Sequence, residues 1–530
     1  MSSKENYKNI YKYLYEAFVW LFLIWIGIKS GDESIYFLMG GFELFVLFKS
    51  FIHDSFGNNL GKLIKNRLHK EQYRNVNTIK RFSAVFYLLF SFILSLGMIL
   101  AAAPICHKLF GADNIRYVIY ILALNLFILG INEILSGFLV GEGFIQAVNV
   151  GYLLNTLFML LSGIIFGSIS YNYAVKVCAL LKDDIYKGFY LAMGCAGAML
   201  LSSFLIFIYY FIYYILVSRQ RAYHEGINTV ESLKITVWPL FKHTLFRGLS
   251  GFLKNIPFFL FIIFARNRMK EEISLASLGG FYSGFILTCR FFVTLIIISS
   301  ITLCHKGCLI FNKGEVRNSR GFLNAGIHFA FVKGLGFSAF VCMGAKLISG
   351  VLCVSDVKAG TMLFRFGCVF IFFYALSFIV SECLEMAGSY IPDIILNSIG
   401  VVFFVLLIAF LPSGIGKNVN TIMDTFVIYS VVTFCLGMFI FYNIFGIRIN
   451  FIKNLVLPLT MAALSAVVTG LITYALGPHV GYGFVFVIGI ALYYLLYNLC
   501  LIFIRNFSEA EMKYMPVYIK INSFVEIFRG

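Results

Sequence analysis

Runs of about twenty apolar residues recur along the whole chain. That is the length an α-helix needs to cross the roughly 30 Å hydrocarbon core of a bilayer. In hydrocarbon every backbone N–H and C=O must find its partner within the protein, so only helices and closed barrels can span. A barrel would show segments of about ten residues with alternating polarity, and these runs do not alternate. Composition agrees: of 530 residues 60% are hydrophobic and only 13% charged, with a mean hydropathy of +0.89. A soluble domain carries about 25% charged residues. The expected fold class is therefore all-α, a polytopic membrane protein with about 14 transmembrane helices. They fall near 11–29, 35–59, 82–106, 117–139, 145–167, 188–216, 239–265, 275–303, 321–352, 360–384, 391–411, 421–444, 454–476 and 481–504.

The net charge is +17, from 42 Lys and Arg against 25 Asp and Glu. Basic loops held against an anionic leaflet explain this excess, and nucleic acid is not needed as a partner. With the N-terminus in the cytoplasm, both tails and the loops on that side hold 23 of the 42 basic residues, and the opposite side holds 11. The bias fits a multi-pass protein with both termini cytoplasmic, and the expected location is the cell (inner) membrane. The outer loop Arg266-Asn267-Arg268-Met269-Lys270 runs against it, followed by Glu271 and Glu272. Gly414-Ile415-Gly416-Lys417 is followed by Asn418 and lacks the upstream glycine of a phosphate-binding loop. No soluble stretch is long enough for an ATPase domain, so any transport would draw on an ion gradient or the substrate's own. The 12 cysteines are scattered, and Cys304 and Cys308 read as small apolar residues. No metal-ligand cluster or disulfide framework is expected, and no cofactor. The first apolar run, 18–28, lacks a cleavage site after it and is expected to be retained.

An internal repeat appears at an offset of 243 residues. Lys70-Glu71-Gln72-Tyr73-Arg74-Asn75 and Lys313-Gly314-Glu315-Val316-Arg317-Asn318 share the pattern Lys-x-x-x-Arg-Asn, each in a cytoplasmic loop. The same offset carries Glu142 onto Glu385 and brings Lys49 within two residues of Arg290. Two six-span lobes in parallel orientation follow, at 1–217 and 239–445, joined by a linker at 218–238. Residues 446–530 then add two more spans and a cytoplasmic tail.

From Leu60 to about Ile215 the chain resembles the polysaccharide-biosynthesis membrane proteins of the multidrug/oligosaccharidyl-lipid/polysaccharide flippase superfamily. The resemblance rests on the basic loop from Gly61-Lys62-Leu63-Ile64 to Arg74, and on Gly137-Phe138-Leu139-Val140-Gly141-Glu142-Gly143. It rests also on the small-residue run Met193-Gly194-Cys195-Ala196-Gly197-Ala198 and on the ending Phe507-Ser508-Glu509-Ala510-Glu511-Met512-Lys513-Tyr514-Met515-Pro516. Fourteen spans suit the lipid-linked oligosaccharide branch of that superfamily better than its twelve-span multidrug branch. The resemblance implies a flippase for undecaprenyl-pyrophosphate-linked oligosaccharide that feeds O-antigen, capsule or exopolysaccharide assembly, and not an enzyme. Its partners would be the lipid-linked oligosaccharide, membrane lipids and other polysaccharide assembly proteins.

Ionisable groups inside spans are costly and so mark candidate sites. His243, Arg247, Ser250 and Lys254 stand at i, i+4, i+7 and i+11 on one face of span seven, near Gly248, Gly251 and Pro257. Lys49 lies in span two and Arg290 in span eight, the positions where resemblance to the lipid II flippase branch implies cavity cations. Span one departs from that pattern, with Glu16 and no Arg, so lipid II itself is in doubt as the substrate. The expected pyrophosphate-binding set is Lys49, Arg247, Lys254 and Arg290, since Arg grips phosphate bidentately and Lys acts as a point charge. Glu43 and Asp54, eleven apart on one face of span two, are the candidate ion-coupling carboxylates. Glu142 and Glu385 are the candidate cytoplasmic gate. Lys242, Lys333 and Lys346 are expected near span ends with their heads at the headgroups, and Arg365 is a further basic residue within span ten. The rival readings are a cation-coupled multidrug exporter, whose site would be acidic, a membrane glycosyltransferase or polymerase, which would show a large polar outer loop, and a non-transporting assembly scaffold.

Overall fold

The structure, a computed structural model, describes residues 7–30, 32–52, 55–107, 113–182, 185–220, 238–269, 281–352, 357–410, 419–448, 450, 452–476, 482–504, 506 and 507. Asp54, the linker stretch 221–237, the 414–417 stretch and the tail from 508 onward lie outside the described residues. Sixteen α-helices and no strand occur among the described residues. They are α1 (Tyr7–Ser30), α2 (Asp32–Lys49), α3 (Ser55–Leu68), α4 (Tyr73–Ile105), α5 (Ile115–Gly141), α6 (Ile145–Leu181), α7 (Ile185–Gln220) and α8 (Trp238–Met269). There follow α9 (Thr288–Phe311), α10 (Val316–Met343), α11 (Ala345–Leu352), α12 (Val357–Met386), α13 (Tyr390–Phe410), α14 (Val419–Phe445), α15 (Leu457–Leu476) and α16 (Tyr482–Phe503). Short π-helical turns, Tyr282–Leu287 and Ile452–Val456, lead into α9 and α15.

Twelve of the described helices are long and apolar enough to cross a membrane. The other two expected spans correspond to α2, which carries Asp32, Glu33, Glu43 and Lys49 in 18 residues, and α16. The chain is thus an all-α, multi-pass membrane protein. Span two is not continuous: α2 stops at Lys49 and α3 starts at Ser55. A broken helix in hydrocarbon frees carbonyls that need new donors. The Tyr87 hydroxyl of α4 donates to the Ile52 carbonyl at 2.5 Å. Tyr87 also stacks on Phe56 at 3.7 Å between ring centroids, which fixes the start of α3.

The chain groups into two compact units, residues 1–22 with 29–279 and residues 23–28 with 280–530. Within the first unit, α3 lies backbone to backbone against α5. Gly57 and Gly61 on α3, and Gly137 and Gly141 on α5, are each four apart and so share a face. A Cβ on Gly61 would stand 2.7 Å from Val140 Cγ1, and one on Gly141 would stand 2.6 Å from Ile64 Cβ. Small residues matter here because helices in lipid have little hydrophobic drive to associate and rely on close van der Waals packing. The lipid-facing sides are apolar in turn: Leu100 on α4, Ile169 on α6 and Leu471 on α15 are all well exposed. In the second unit α16 is stapled to α10. Tyr493 donates to Gly336 O and Tyr497 to Val332 O, both at 2.7 Å, and both rings are buried.

The repeat is visible in the backbone. Glu71 and Gly314, 243 apart, both take a left-handed conformation (φ 56° and 85°). The residues after them, Gln72 and Glu315, share φ/ψ of −86°/61° and −83°/65° and begin α4 and α10. The next turn repeats at a different offset. Phe144 N–H reaches back to Leu139 O and Ser389 N–H to Leu384 O, which is 245 residues later. Ala387, rather than Glu385, therefore occupies the backbone place of Glu142, and Glu385 sits inside α12. Two residues along a helix turn a side chain by about 200°, so the two glutamates are not equivalent by position.

The glycine contact predicts a stability effect. Gly61→Ala should lower stability by about 1–3 kcal/mol, because the methyl must displace Val140. Gly321→Ala, where nothing lies within 4 Å of the new Cβ, should be neutral or stabilising. Thermal unfolding of the two variants in detergent checks the pair.

Candidate cationic site

In the first unit, α8 packs on the break in span two. Gly248 and Gly251 bring the α8 backbone against Phe51 and Ser50: a Cβ on Gly251 would stand 3.1 Å from Ser50 Cβ. Asn255 Nδ2 donates to Gly251 O at 2.8 Å and to Ser50 Oγ at 3.3 Å. Phe252 packs its ring on Phe51 at 5.6 Å. The expected stripe lies beside this small-residue face. His243 is exposed, Arg247 half-buried, and Ser250 and Lys254 buried, so the stripe deepens along α8. Pro257 lies within α8, which continues through it.

Lys49 is the last residue of α2, next to Ser50, so the structure brings it to the segment that meets α8. Its Nζ lies 5.9 Å from the centre of the Tyr15 ring on α1, within cation–π range. Three of the four expected phosphate ligands, Lys49, Arg247 and Lys254, thus belong to neighbouring elements of one unit. Arg290 lies in the second unit, on the first turn of α9 directly after the π-helical turn, and is only 4% exposed. Local π-geometry inside helices is frequent at functional positions, and here it precedes a buried guanidinium.

Glu43 is fully buried in the middle of α2. Asp54 falls outside the described residues. Glu142 stands at the C-cap of α5. It forms a buried ion pair with Lys80 of α4, and Lys80 Nζ also lies 5.7 Å from the Phe138 ring and 5.6 Å from the Tyr214 ring. The expected start of span three at residue 82 left Lys80 in a loop. α4 begins at Tyr73, so Lys80 is two turns inside the helix. Glu385 is buried near the end of α12.

Lys333 departs from expectation. It is 3% exposed, with its head held inside the protein and not at the surface. Its Nζ donates to Tyr494 Oη at 2.5 Å and to Asn498 Oδ1 at 3.1 Å, both on α16, and the Tyr494 ring centre lies 4.3 Å away. The cause is tertiary: α16 covers the face of α10 that carries Lys333. Lys242, Lys346 and Arg365 are exposed.

Three buried acids were not singled out from the sequence: Glu133 on α5, Glu382 on α12 and Asp393 on α13. Their signal was present, since a carboxylate within an apolar run is itself unusual. Asp393 accepts from the Ser381 hydroxyl and from Asn397 Nδ2, the latter at 3.2 Å. Glu133 Oε2 lies so near Gly57 that a Cβ there would stand 2.6 Å from it. No group of three or more His, Cys, Asp or Glu side chains suited to a metal ion occurs among the described residues.

No protein-family model matches the sequence, and no curated protein matches it. Solved structures do. The chain resembles an inward-facing multidrug resistance MATE family transporter of the MOP superfamily, at 16% identity and a TM-score of 0.60, covering 81% of this chain and 95% of that one. It resembles the lipid II flippase MurJ in an inward closed conformation at 11% identity and a TM-score of 0.62, covering 94% of this chain and 99% of that one. It also resembles a MOP superfamily transporter from Pyrococcus furiosus at 14% identity and a TM-score of 0.53, covering 83% of this chain and 96% of that one. The fold is that of the MOP superfamily transporters.

The Lys80–Glu142 pair predicts a double-mutant result. Glu142→Ala should cost about 3–5 kcal/mol, because it strands a buried ammonium. Lys80→Met combined with Glu142→Leu should recover most of that loss, since the aromatic neighbours suit an apolar pair. Unfolding midpoints of the two singles and the double measure the coupling.

Proposed function

We propose that this protein is a flippase that carries undecaprenyl-pyrophosphate-linked oligosaccharide across the inner membrane for O-antigen, capsule or exopolysaccharide assembly. The observation that carries the reading is the sign of the charge within each unit: Lys254 is buried and Arg247 half-buried on α8 of the first, and Arg290 is buried on α9 of the second. A buried cation in hydrocarbon is costly and is kept where it meets an anion. A drug exporter for cationic amphiphiles would need the opposite sign. The likeness to the lipid II flippase over 94% of the chain supports a lipid-linked substrate.

In this proposal Lys49, Arg247, Lys254 and Arg290 hold the pyrophosphate while the prenyl tail stays in lipid and the glycan crosses a wet cavity. The lobes 1–217 and 239–445 alternate between two openings, with both termini in the cytoplasm. A ligand can shift such an equilibrium only by binding one state better than the other. The buried Glu43, with Asp54, is assigned to a coupling cation that supplies this difference. Glu142 and Glu385 are assigned to the cytoplasmic gate, with Glu142 held by Lys80.

The test is flipping of a fluorescent polyprenyl-pyrophosphate oligosaccharide in proteoliposomes. Arg290→Ala and Arg247→Ala should each slow flipping by about tenfold or more, the equivalent of one charge-assisted hydrogen bond to phosphate. Arg290→Lys should fall between wild type and Arg290→Ala, since it keeps the charge and loses the fork. Wild-type flipping unchanged by both alanine variants would remove the site and leave the substrate class. Export of cationic dyes, with no movement of any lipid-linked sugar, would replace the proposal by the multidrug reading.

A further inference from the structure

The seam between α8 and the break in span two carries a groove of about 520 Å³, lined by Phe51, Trp238, Phe241, Lys242, Leu245, Phe246 and Leu249. Six of these seven are apolar, and the only charge among them is the ammonium of Lys242. Trp238 is 58% exposed and Leu249 38%, so the groove opens to the outside of the unit. One wall is an aromatic row: Trp238 meets Phe241 at 5.7 Å, and Phe241 meets Phe86 of α4 at 4.9 Å. Lys242 Nζ lies 5.8 Å from the Phe246 ring centre, so the ammonium sits at the groove's edge.

We infer that this groove binds one anionic phospholipid of the leaflet on the N-terminal side of α8, with an acyl chain in the groove and the phosphate at Lys242. Three observations select this occupant. First, from Trp238 to Leu249 the groove runs eleven residues, roughly 16 Å at 1.5 Å per residue, about half of a 30 Å hydrocarbon core. It has the length of one leaflet and of one acyl chain, and a polyprenyl tail would overrun it. Second, the lining offers a lone cation at the end where a headgroup lies and no carboxylate to repel a phosphate. Third, Trp238 starts the helix at that same end, and an indole suits the border between headgroups and hydrocarbon. The lipid would lie along α8 beside Phe51, which packs directly on that helix. This inference does not depend on the transported substrate.

Trp238 is one of three tryptophans, with Trp20 and Trp25, so its emission is the difference between wild type and Trp238→Phe. The protein is reconstituted in phosphatidylcholine vesicles doped with either brominated phosphatidylglycerol or brominated phosphatidylcholine at one mole fraction. Brominated phosphatidylglycerol should quench Trp238 as though enriched about fivefold beside it, the factor that one lysine facing an anionic lipid gives. Lys242→Gln, at an exposed position, should reduce quenching to the phosphatidylcholine level, and Lys242→Arg should keep the preference. Equal quenching by the two lipids in wild type, or a preference that survives Lys242→Gln, would overturn the inference. Displacement of the quencher by polyprenyl phosphate, but not by unbrominated phosphatidylglycerol, would also overturn it and give the groove to a prenyl tail. Flipping activity is not read in this experiment, so its failure leaves the proposed function standing.

Discussion

Hydrocarbon gives a polar group no solvent to fall back on, and most of the distinctive packing in this protein answers that constraint. The break in span two frees the Ile52 carbonyl, and Tyr87 supplies the donor. Lys80 would be costly alone, and it has Glu142 with two aromatic faces. Lys333 has Tyr494 and Asn498. Asp393 has Ser381 and Asn397. Each answer comes from a different helix or from the next turn, so each also fixes how helices pack. The polar groups that burden the chain in lipid are the groups that specify its arrangement.

Close backbone approach does the rest. Gly57, Gly61, Gly137 and Gly141 let α3 and α5 touch, and Gly248 and Gly251 let α8 reach the break after Lys49. The two places have different consequences. The first makes a tight pair from a half-span and a full span. The second brings a cation-bearing helix to an irregular segment that directly follows another cation, Lys49. Irregular backbone is tolerated at membrane depth only where protein or a wet cavity surrounds it. Lys49 at a helix end and Arg290 after a π-helical turn both stand at such points.

The repeat shows what sequence offsets can and cannot carry. The first loop repeats at 243 residues down to its left-handed residue and its cap angles. The second repeats at 245, because the stretch between the two loops is two residues longer in the second half. A match of residue letters, Glu142 with Glu385, therefore did not mean a match of place. In a helix two residues of slip move a side chain to another face, whereas the Lys-x-x-x-Arg-Asn motif lies close to its turn and keeps its register.

The sequence alone determined the class. Apolar runs of bilayer length dictate helices, because hydrocarbon leaves the backbone no other way to bond. The positions of the spans followed, as did the first repeated turn and the cationic face of α8, which needs only a period of 3.6 residues. Tertiary structure decided everything that depends on which faces meet. It broke span two after Lys49 and drew Lys80 inside a helix to reach Glu142. It buried Lys333, because α16 folds over α10. A side chain's depth is a property of its neighbours, and those neighbours are 62 residues away in chain for Lys80 and more than 160 for Lys333. No local pattern of residues carries that information.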